Sequence, residues 1–257
     1  MKLATWNVNG VRARLDRAVG WLERHAPDVV CLQEIKCEDD KFPHAPFEAL
    51  GYRVVTCGQK GFHGVAIVAR GELSDVERGF GDGVEDAQAR VVSATFAGVR
   101  VVSVYVPNGE AVGTDKYAYK LRWLERLRAW VAPRLASGPP LAIGGDYNVA
   151  PADLDVHDPA AWAGKVLCSE AERTALARVI DLGLVDVLRA QHPGEALYTW
   201  WDYRMLGFPK NLGMRIDHVL ASPALAARVT AAWVDRDERK GALPSDHAPV
   251  FVELADG

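Results

Sequence analysis

Four short polar clusters, each standing where an apolar strand-like run ends or begins, constrain this chain more than any other feature. Residues 2–6 run into Asn7, and residues 29–32 deliver Gln33 and Glu34. Residues 141–143 lead through two glycines to Asp146 and Asn148, and Ser245-Asp246-His247 precedes the closing run 250–254. A polar group at the end of an otherwise buried run belongs at the rim of a sheet, because neither face of the run has water to offer it. Four such rims predict strands that converge on one site.

The remaining runs fill in the architecture. Strands are expected over residues 52–56, 65–69, 90–96, 99–106, 198–201, 216–220 and 231–234, with the glycine-rich link 58–64 and the Ala97-Gly98 turn reading as hairpins. Leu15, Val19 and Leu22 mark a helix stopped by Pro27, and Tyr117, Leu121, Leu124, Leu127 and Val131 mark a second, stopped at Pro133. Ser169 with Glu172 offers a capping box for a third, which carries Leu176, Val179 and Ile180 and ends at Gly183. Hairpin links outnumber helical crossovers. The expectation is an α/β arrangement of two mixed sheets packed face to face, helices outside, as one domain over residues 1–257.

Composition narrows the functional classes. At 257 residues and 49% hydrophobic, the chain can bury a large core. No apolar run approaches the roughly 20 residues of a membrane span, and no signal peptide is recognisable at the start, so a cytoplasmic location is expected. Cys31, Cys37, Cys57 and Cys168 show no C-x-x-C spacing and read as reduced thiols. A net charge of -4 excludes nucleic-acid binding by bulk attraction but leaves local clusters: Arg12, Arg14 and Arg17; Lys116, Lys120, Arg122, Arg126 and Arg128; and Arg204, Lys210 and Arg215. Each cluster alone reads as a solvated face.

The rim residues suggest chemistry. Few carboxylates among neutral oxygen donors suit magnesium, which keeps waters and completes its shell with substrate phosphate. Glu34 is the foremost candidate ligand, with Asn7 and Asp246 beside it. Asp146 and Asn148, two apart, share a face of an extended backbone and are placed to hold a water, the aspartate accepting its proton. His247 is expected to donate to a phosphoryl oxygen, with Asp217 orienting its imidazole. Tyr105 offers a hydroxyl to the phosphate or to Asp146. Singly, Asn7 or Asp146 reads equally well as a turn residue, and Asp217 with His247 as a structural pair.

Taken in order and spacing, Trp6-Asn7-Val8-Asn9-Gly10 with Arg12 and Arg14, Leu32-Gln33-Glu34-Ile35-Lys36, Gly64-Val65-Ala66, Tyr105-Val106-Pro107-Asn108-Gly109, Gly145-Asp146-Tyr147-Asn148, Arg215-Ile216-Asp217 and Ser245-Asp246-His247 resemble the motifs of the exonuclease III family of apurinic/apyrimidinic endonucleases, within the endonuclease/exonuclease/phosphatase superfamily. The resemblance implies a four-layer αββα sandwich and a Mg²⁺- or Mn²⁺-dependent monomer. It implies incision of duplex DNA 5′ to an abasic site, with removal of blocked 3′ ends and 3′-to-5′ exonuclease activity. It also implies Asn7, Glu34 and Asp246 toward metal, and Tyr105, Asp146, Asn148, Asp217 and His247 as the reacting set. Arg12, Lys36, Asn108 and Arg204 are expected on the substrate side, with Lys60 as a further phosphate contact. Trp200, Met214 and Ile216 are expected to line an apolar pocket for a flipped sugar. Bulky residues at 155–162, including His157, are expected to narrow the groove and favour 3′-end processing. Two other readings compete: another superfamily phosphoesterase, such as a general DNase or an inositol-phosphate phosphatase, and a catalytically idle DNA-damage-binding protein.

Overall fold

Residues 29–33 and 65–69 are buried at every position, as strands covered on both faces must be. In the computed structural model, which describes residues 1–255, the strands are β1 (Lys2–Asn7), β2 (Val29–Gln33), β3 (Arg53–Cys57), β4 (Val65–Ala69), β5 (Ser74–Arg78), β6 (Val91–Phe96) and β7 (Val99–Tyr105). They continue with β8 (Leu141–Asp146), β9 (Val185–Asp186), β10 (Trp200–Trp201), β11 (Gly213–Met214), β12 (Asp217–Ala221), β13 (Val229–Val234) and β14 (Val250–Leu254). The helices are α1 (Leu15–His25), α2 (His44–Ala49), α3 (Asp115–Ser137), α4 (Pro159–Trp162), α5 (Glu170–Ile180), α6 (Val187–Gln191) and α7 (Pro223–Ala226).

Two six-stranded sheets result, ordered β13-β14-β1-β2-β4-β3 and β5-β6-β7-β8-β12-β9, with β10 and β11 as a separate short pair. Each six-stranded sheet is mixed in the same way. One parallel pair, β1 with β2 or β7 with β8, lies between antiparallel neighbours. The sheets pack face to face over a core that includes Leu3, Cys31, Ile67, Val101, Ala142 and Val252. Trp21 of α1 packs with Trp6 and Phe251 on one outer face, and Trp123 and Leu127 of α3 with Leu176 of α5 pack with Ile143 on the other. This is the expected four-layer sandwich.

Glycine sets the spacing of the sheets near the site. A Cβ at Gly144 would lie 3.1 Å from the Thr5 Cβ and 3.2 Å from the Cys31 Sγ, atoms of the facing sheet, and one at Gly145 would lie 2.2 Å from the Val104 carbonyl oxygen. Side chains at either position would force β8 away from its neighbours just before Asp146. The polar layer beside them is satisfied internally: the Gln33 amide donates to the hydroxyls of Thr5 and Ser103, and Ser103 donates to the Leu32 carbonyl.

Three expectations are corrected. Helix α3 does not stop at Pro133 but runs to Ser137, so the ring is accommodated inside the helix. The Trp130 carbonyl next to this break also accepts from the Arg134 side chain. Strand β5 was hidden because Ser74-Asp75-Val76-Glu77-Arg78 is largely exposed at a sheet edge. Two basic residues assigned to solvated faces are buried: Lys120 is 0% exposed, and Arg215 is 1% exposed within an ion-pair network.

That network orders the chain after Asn148. Asp155 accepts from Arg215 Nε at 2.6 Å and from Arg189, and it also accepts from the Ala152 backbone, while Arg215 bonds Asp186 at 2.7 Å. Burial alone would raise the Asp155 pKa, but the two guanidinium groups outweigh it and hold the carboxyl below its usual range. A depressed carboxylate pKa stabilises the fold above the unfolded value, and that contribution disappears as pH falls through the folded value. Asp155→Asn is therefore expected to destabilise the protein by about 3 kcal/mol at pH 7 in urea unfolding. The gap from the parent should narrow below about pH 4. A gap that stays constant from pH 7 to pH 3 would contradict the assignment.

Candidate active site

Strand direction brings the polar rims together. β1 and β2 run parallel and end at Asn7 and Gln33, with Glu34 next in a left-handed turn at φ 50°. β7 and β8 run parallel and end at Tyr105 and Asp146. Antiparallel β12 begins at Asp217, in register with Asp146, and His247 lies just before antiparallel β14. Carboxyl ends of the parallel pairs and amino ends of their antiparallel neighbours thus share one edge of the sandwich.

At that edge Asn7 Nδ2 donates to Glu34 Oε1 and to Asp146 Oδ2, each at 2.9 Å. The Asn7 side-chain Oδ1 accepts from the Asn9 backbone N–H, so Asn7 faces the cluster with its nitrogen and bridges the two acids. His247 Nδ1 lies 2.9 Å from Asp217 Oδ2, and Nε2 lies 3.7 Å from Asp146 Oδ2. Asp146 Oδ1 accepts from the Asn148 backbone at 2.9 Å. Ser245 Oγ donates to the Asn7 carbonyl, and the Trp6 indole donates to the His247 carbonyl, which ties the Ser-Asp-His step to β1.

The charges follow from burial and from one another. Burial pushes the Asp146 carboxyl up to about 7, with Asp217 adding to the rise while the His247 charge and the Asn7 hydrogen bond oppose it. Burial disfavours a charged His247, but the carboxylates of Asp217 and Asp146 prevail and raise it to about 10. Glu34 would also be raised by burial, yet the Lys36 ammonium at 2.8 Å and the Asn7 amide hold it below the usual range. Tyr105 is driven well above its ordinary value by burial and by the charges of Glu34 and Asp146, so its hydroxyl stays protonated.

Glu34, Asp146 and His247 each offer a ligand atom within 4.8 Å of the others. His247 is protonated and held by Asp217, so the carboxylate oxygens of Glu34 and Asp146 are the donors that fit a hard divalent cation, and the Lys36 ammonium already rests between Glu34 and Asn9 oxygens. A second His-Asp-Glu group, His25, Asp235 and Glu238, differs because Glu238 is neutralised by Arg17 and Arg24. Asp246 does not join the Glu34 group. Its carboxylate accepts from Asn9 Nδ2 at 2.9 Å and from Trp200 Nε1 at 3.0 Å.

The expected substrate residues divide. Trp200 is half-buried beside Asp246, whereas Met214 and Ile216 are fully buried in an apolar cluster with Val156 and Leu167. Lys36 is turned inward onto Glu34. Arg12 and Lys60 are exposed, and Arg204 is exposed but paired with Asp202. Asn108 donates to Asn148 Oδ1 at 3.0 Å. His157 bonds the Gly213 carbonyl. Two contributors escaped sequence reasoning. Asn9 links Lys36 to Asp246, and its place two residues after Asn7 was the available signal. Tyr203 accepts from Arg14 and donates to the Pro244 carbonyl, yet nothing in the sequence separated it from its aromatic neighbours.

Comparison with known proteins agrees with this geometry. Residues 4–247 match the endonuclease/exonuclease/phosphatase family. Exodeoxyribonuclease III of Haemophilus influenzae is 37% identical over 99% of this chain and 100% of its own length. A 3′ phosphatase from Neisseria, solved with a product DNA hairpin, is 44% identical over 100% of both chains, with a TM-score of 0.98. An AP endonuclease from Archaeoglobus fulgidus is 41% identical over 99% of both chains, with a TM-score of 0.94. Matching in fold, in full length and in family model alike, this chain belongs to the exonuclease III branch of the endonuclease/exonuclease/phosphatase family.

Proposed function

We propose that this protein is a Mg²⁺-dependent DNA repair nuclease, able to use Mn²⁺, that hydrolyses the phosphodiester 5′ to an abasic site in duplex DNA and leaves a 3′-hydroxyl. Removal of blocked 3′ ends and 3′-to-5′ exonuclease activity accompany it. It acts as a single catalytic domain, monomeric and cytoplasmic. The observation that carries the reading is that Asp246 joins the reacting cluster to the pocket: the residue before His247 is hydrogen-bonded to Trp200.

The roles follow from atom positions. Asp146 takes the proton of the attacking water, and the second Nδ2 hydrogen of Asn148 orients that water. His247 has Nδ1 committed to Asp217, so Nε2 is the nitrogen left to donate to a phosphoryl oxygen as charge builds. Tyr105 adds a neutral hydroxyl. Glu34 would hold a divalent cation, with Asp246 across the rim and Asn7 tethering Glu34 to Asp146; such a cation would supply neutralisation of charge on the phosphate and the departing oxygen. Arg12, Lys60 and Arg204 supply phosphate contacts, so binding weakens with salt without sequence preference.

A duplex carrying one abasic analogue is expected to be cut immediately 5′ to the lesion, with cutting abolished by EDTA and restored by Mg²⁺. Asp146→Asn should lower kcat by about 10³-fold, since proton removal from the nucleophile is lost. An uncut duplex under saturating protein would count against internal abasic incision.

A second reading gives 3′-end processing priority over internal incision. It is favoured by the Val156 bridge to Met214 and the His157 contact with Gly213, which pack the stretch after Asn148 against β11. On this reading His157→Gly raises internal abasic cutting relative to 3′-phosphate removal by about threefold to tenfold, the range one altered pocket contact supplies. An unchanged ratio sinks it.

A further inference from the structure

Lys120 carries its charge in a place that has no use for a solubilising residue. It sits on α3 between Tyr117, Trp123, Leu124 and Leu127, all buried, and is itself 0% exposed. Burying an ammonium is costly unless every donor is met. Here all three have partners. Nζ donates to the Asn148 carbonyl at 2.6 Å, to the Asn108 carbonyl at 3.1 Å and to Glu172, which is also 0% exposed. Glu172 in turn accepts from the Leu167 backbone and from Ser169, so one carboxylate caps α5 and neutralises Lys120.

The two carbonyls belong to the residues whose side chains meet at the site. Asn148 sits in left-handed backbone at φ 50°, a region that asparagine enters more readily than other side-chain-bearing residues. Its side-chain carbonyl accepts from Asn108 Nδ2 at 3.0 Å, and its own Nδ2 donates to the Val106 carbonyl at 3.0 Å. The backbone on either side of this amide pair is therefore pinned by one ammonium group, and Asn148 N in turn fixes Asp146 Oδ1.

We propose that Lys120 is a positioning residue for the nuclease reaction, setting the Asn148 amide and the Asp146 carboxylate through the main chain of Asn108 and Asn148. It touches neither water nor substrate. This rests on the role given to Asn148 under the proposed function, and it adds that the geometry of the water site is dictated from behind, by a charge between α3 and α5.

Three variants separate positioning from plain stability. Lys120→Met with Glu172→Gln removes the ammonium and its counter-charge together, so no unpaired charge is left in the core. Its thermal midpoint should fall, because the Asn108 and Asn148 carbonyls lose their donor, so kcat is read at a temperature where the variant is fully folded. With the abasic duplex and Mg²⁺, its kcat should fall about 30- to 100-fold with KM within about twofold, as expected of a misplaced reacting group. Glu172→Gln alone leaves the buried ammonium without its counter-charge and costs stability, but it keeps both carbonyl bonds, so the folded protein should retain kcat within about threefold. Lys120→Gln, with a shorter reach, serves if the double variant does not fold, with the same kcat-against-KM reading. Parental kcat in a folded variant lacking the Lys120 ammonium overturns the inference, as does a loss in Glu172→Gln equal to that of the double variant. If the parent itself leaves the duplex uncut, the reading of internal abasic incision falls first and this inference with it. A parent that cuts, beside a variant that cuts equally well, removes this inference alone.

Discussion

Everything at the rim depends on holding the Asp146 carboxylate where water reaches almost none of it, at 1% exposure. A carboxylate so placed must be hydrogen-bonded and faced by positive charge, or it gives up its ionised form. Its partners come from both sheets: Asn7 from β1, Asn148 just beyond β8, and the His247 ring from the approach to β14. Such a constellation exists only if β8 and β1 approach closely, and Gly144 permits this by presenting no side chain to Thr5 and Cys31. Sheet spacing and acid chemistry are therefore one problem with one solution.

The arrangement of strands makes that solution accessible. Each sheet carries one parallel pair between antiparallel neighbours, so two carboxyl-terminal ends emerge side by side in each layer. Loops leaving such ends diverge and leave a crevice between them. Here the crevices of two stacked sheets merge, so acids from one layer face the imidazole and amides reached from the other. The similar plan of the two sheets places chemically unlike residues opposite each other, and that asymmetry is what gives the rim a reactive side.

Much of this was legible in the sequence because it follows from local pattern. Uniformly apolar runs such as 29–32 and 65–69 allow little besides a strand covered on both faces, and the Ser169–Glu172 box formed as expected. What stayed hidden depends on tertiary context. Edge strand β5 has no apolar signature, and Pro133 is carried within a long packed helix that a short one would not tolerate. Lys120 was grouped with its basic neighbours, although its spacing of three from Tyr117 and four from Leu124 puts it on the buried stripe. Asn7 was expected to offer an oxygen to a metal ion, and only the Asn9 backbone bond shows that its nitrogen faces the acids. Residue type was readable from the sequence; which atom of the residue points inward was not.

The acidic rim poses a last question, since a polyanion must approach it on a chain of net charge -4. The local balance differs from the total. Glu34 is answered by Lys36, Asp217 by His247, and Asp155 by Arg215 and Arg189, so most of the buried negative charge near the site is spoken for within the fold. Asp246 has only neutral donors, Asn9 and the Trp200 indole, and it sits between the reacting cluster and the pocket. Hydrogen bonds hold it in place without cancelling its charge, and that leftover charge suits a cation arriving with a phosphate. Under the proposed function, this one side chain next to His247 joins charge balance to substrate choice.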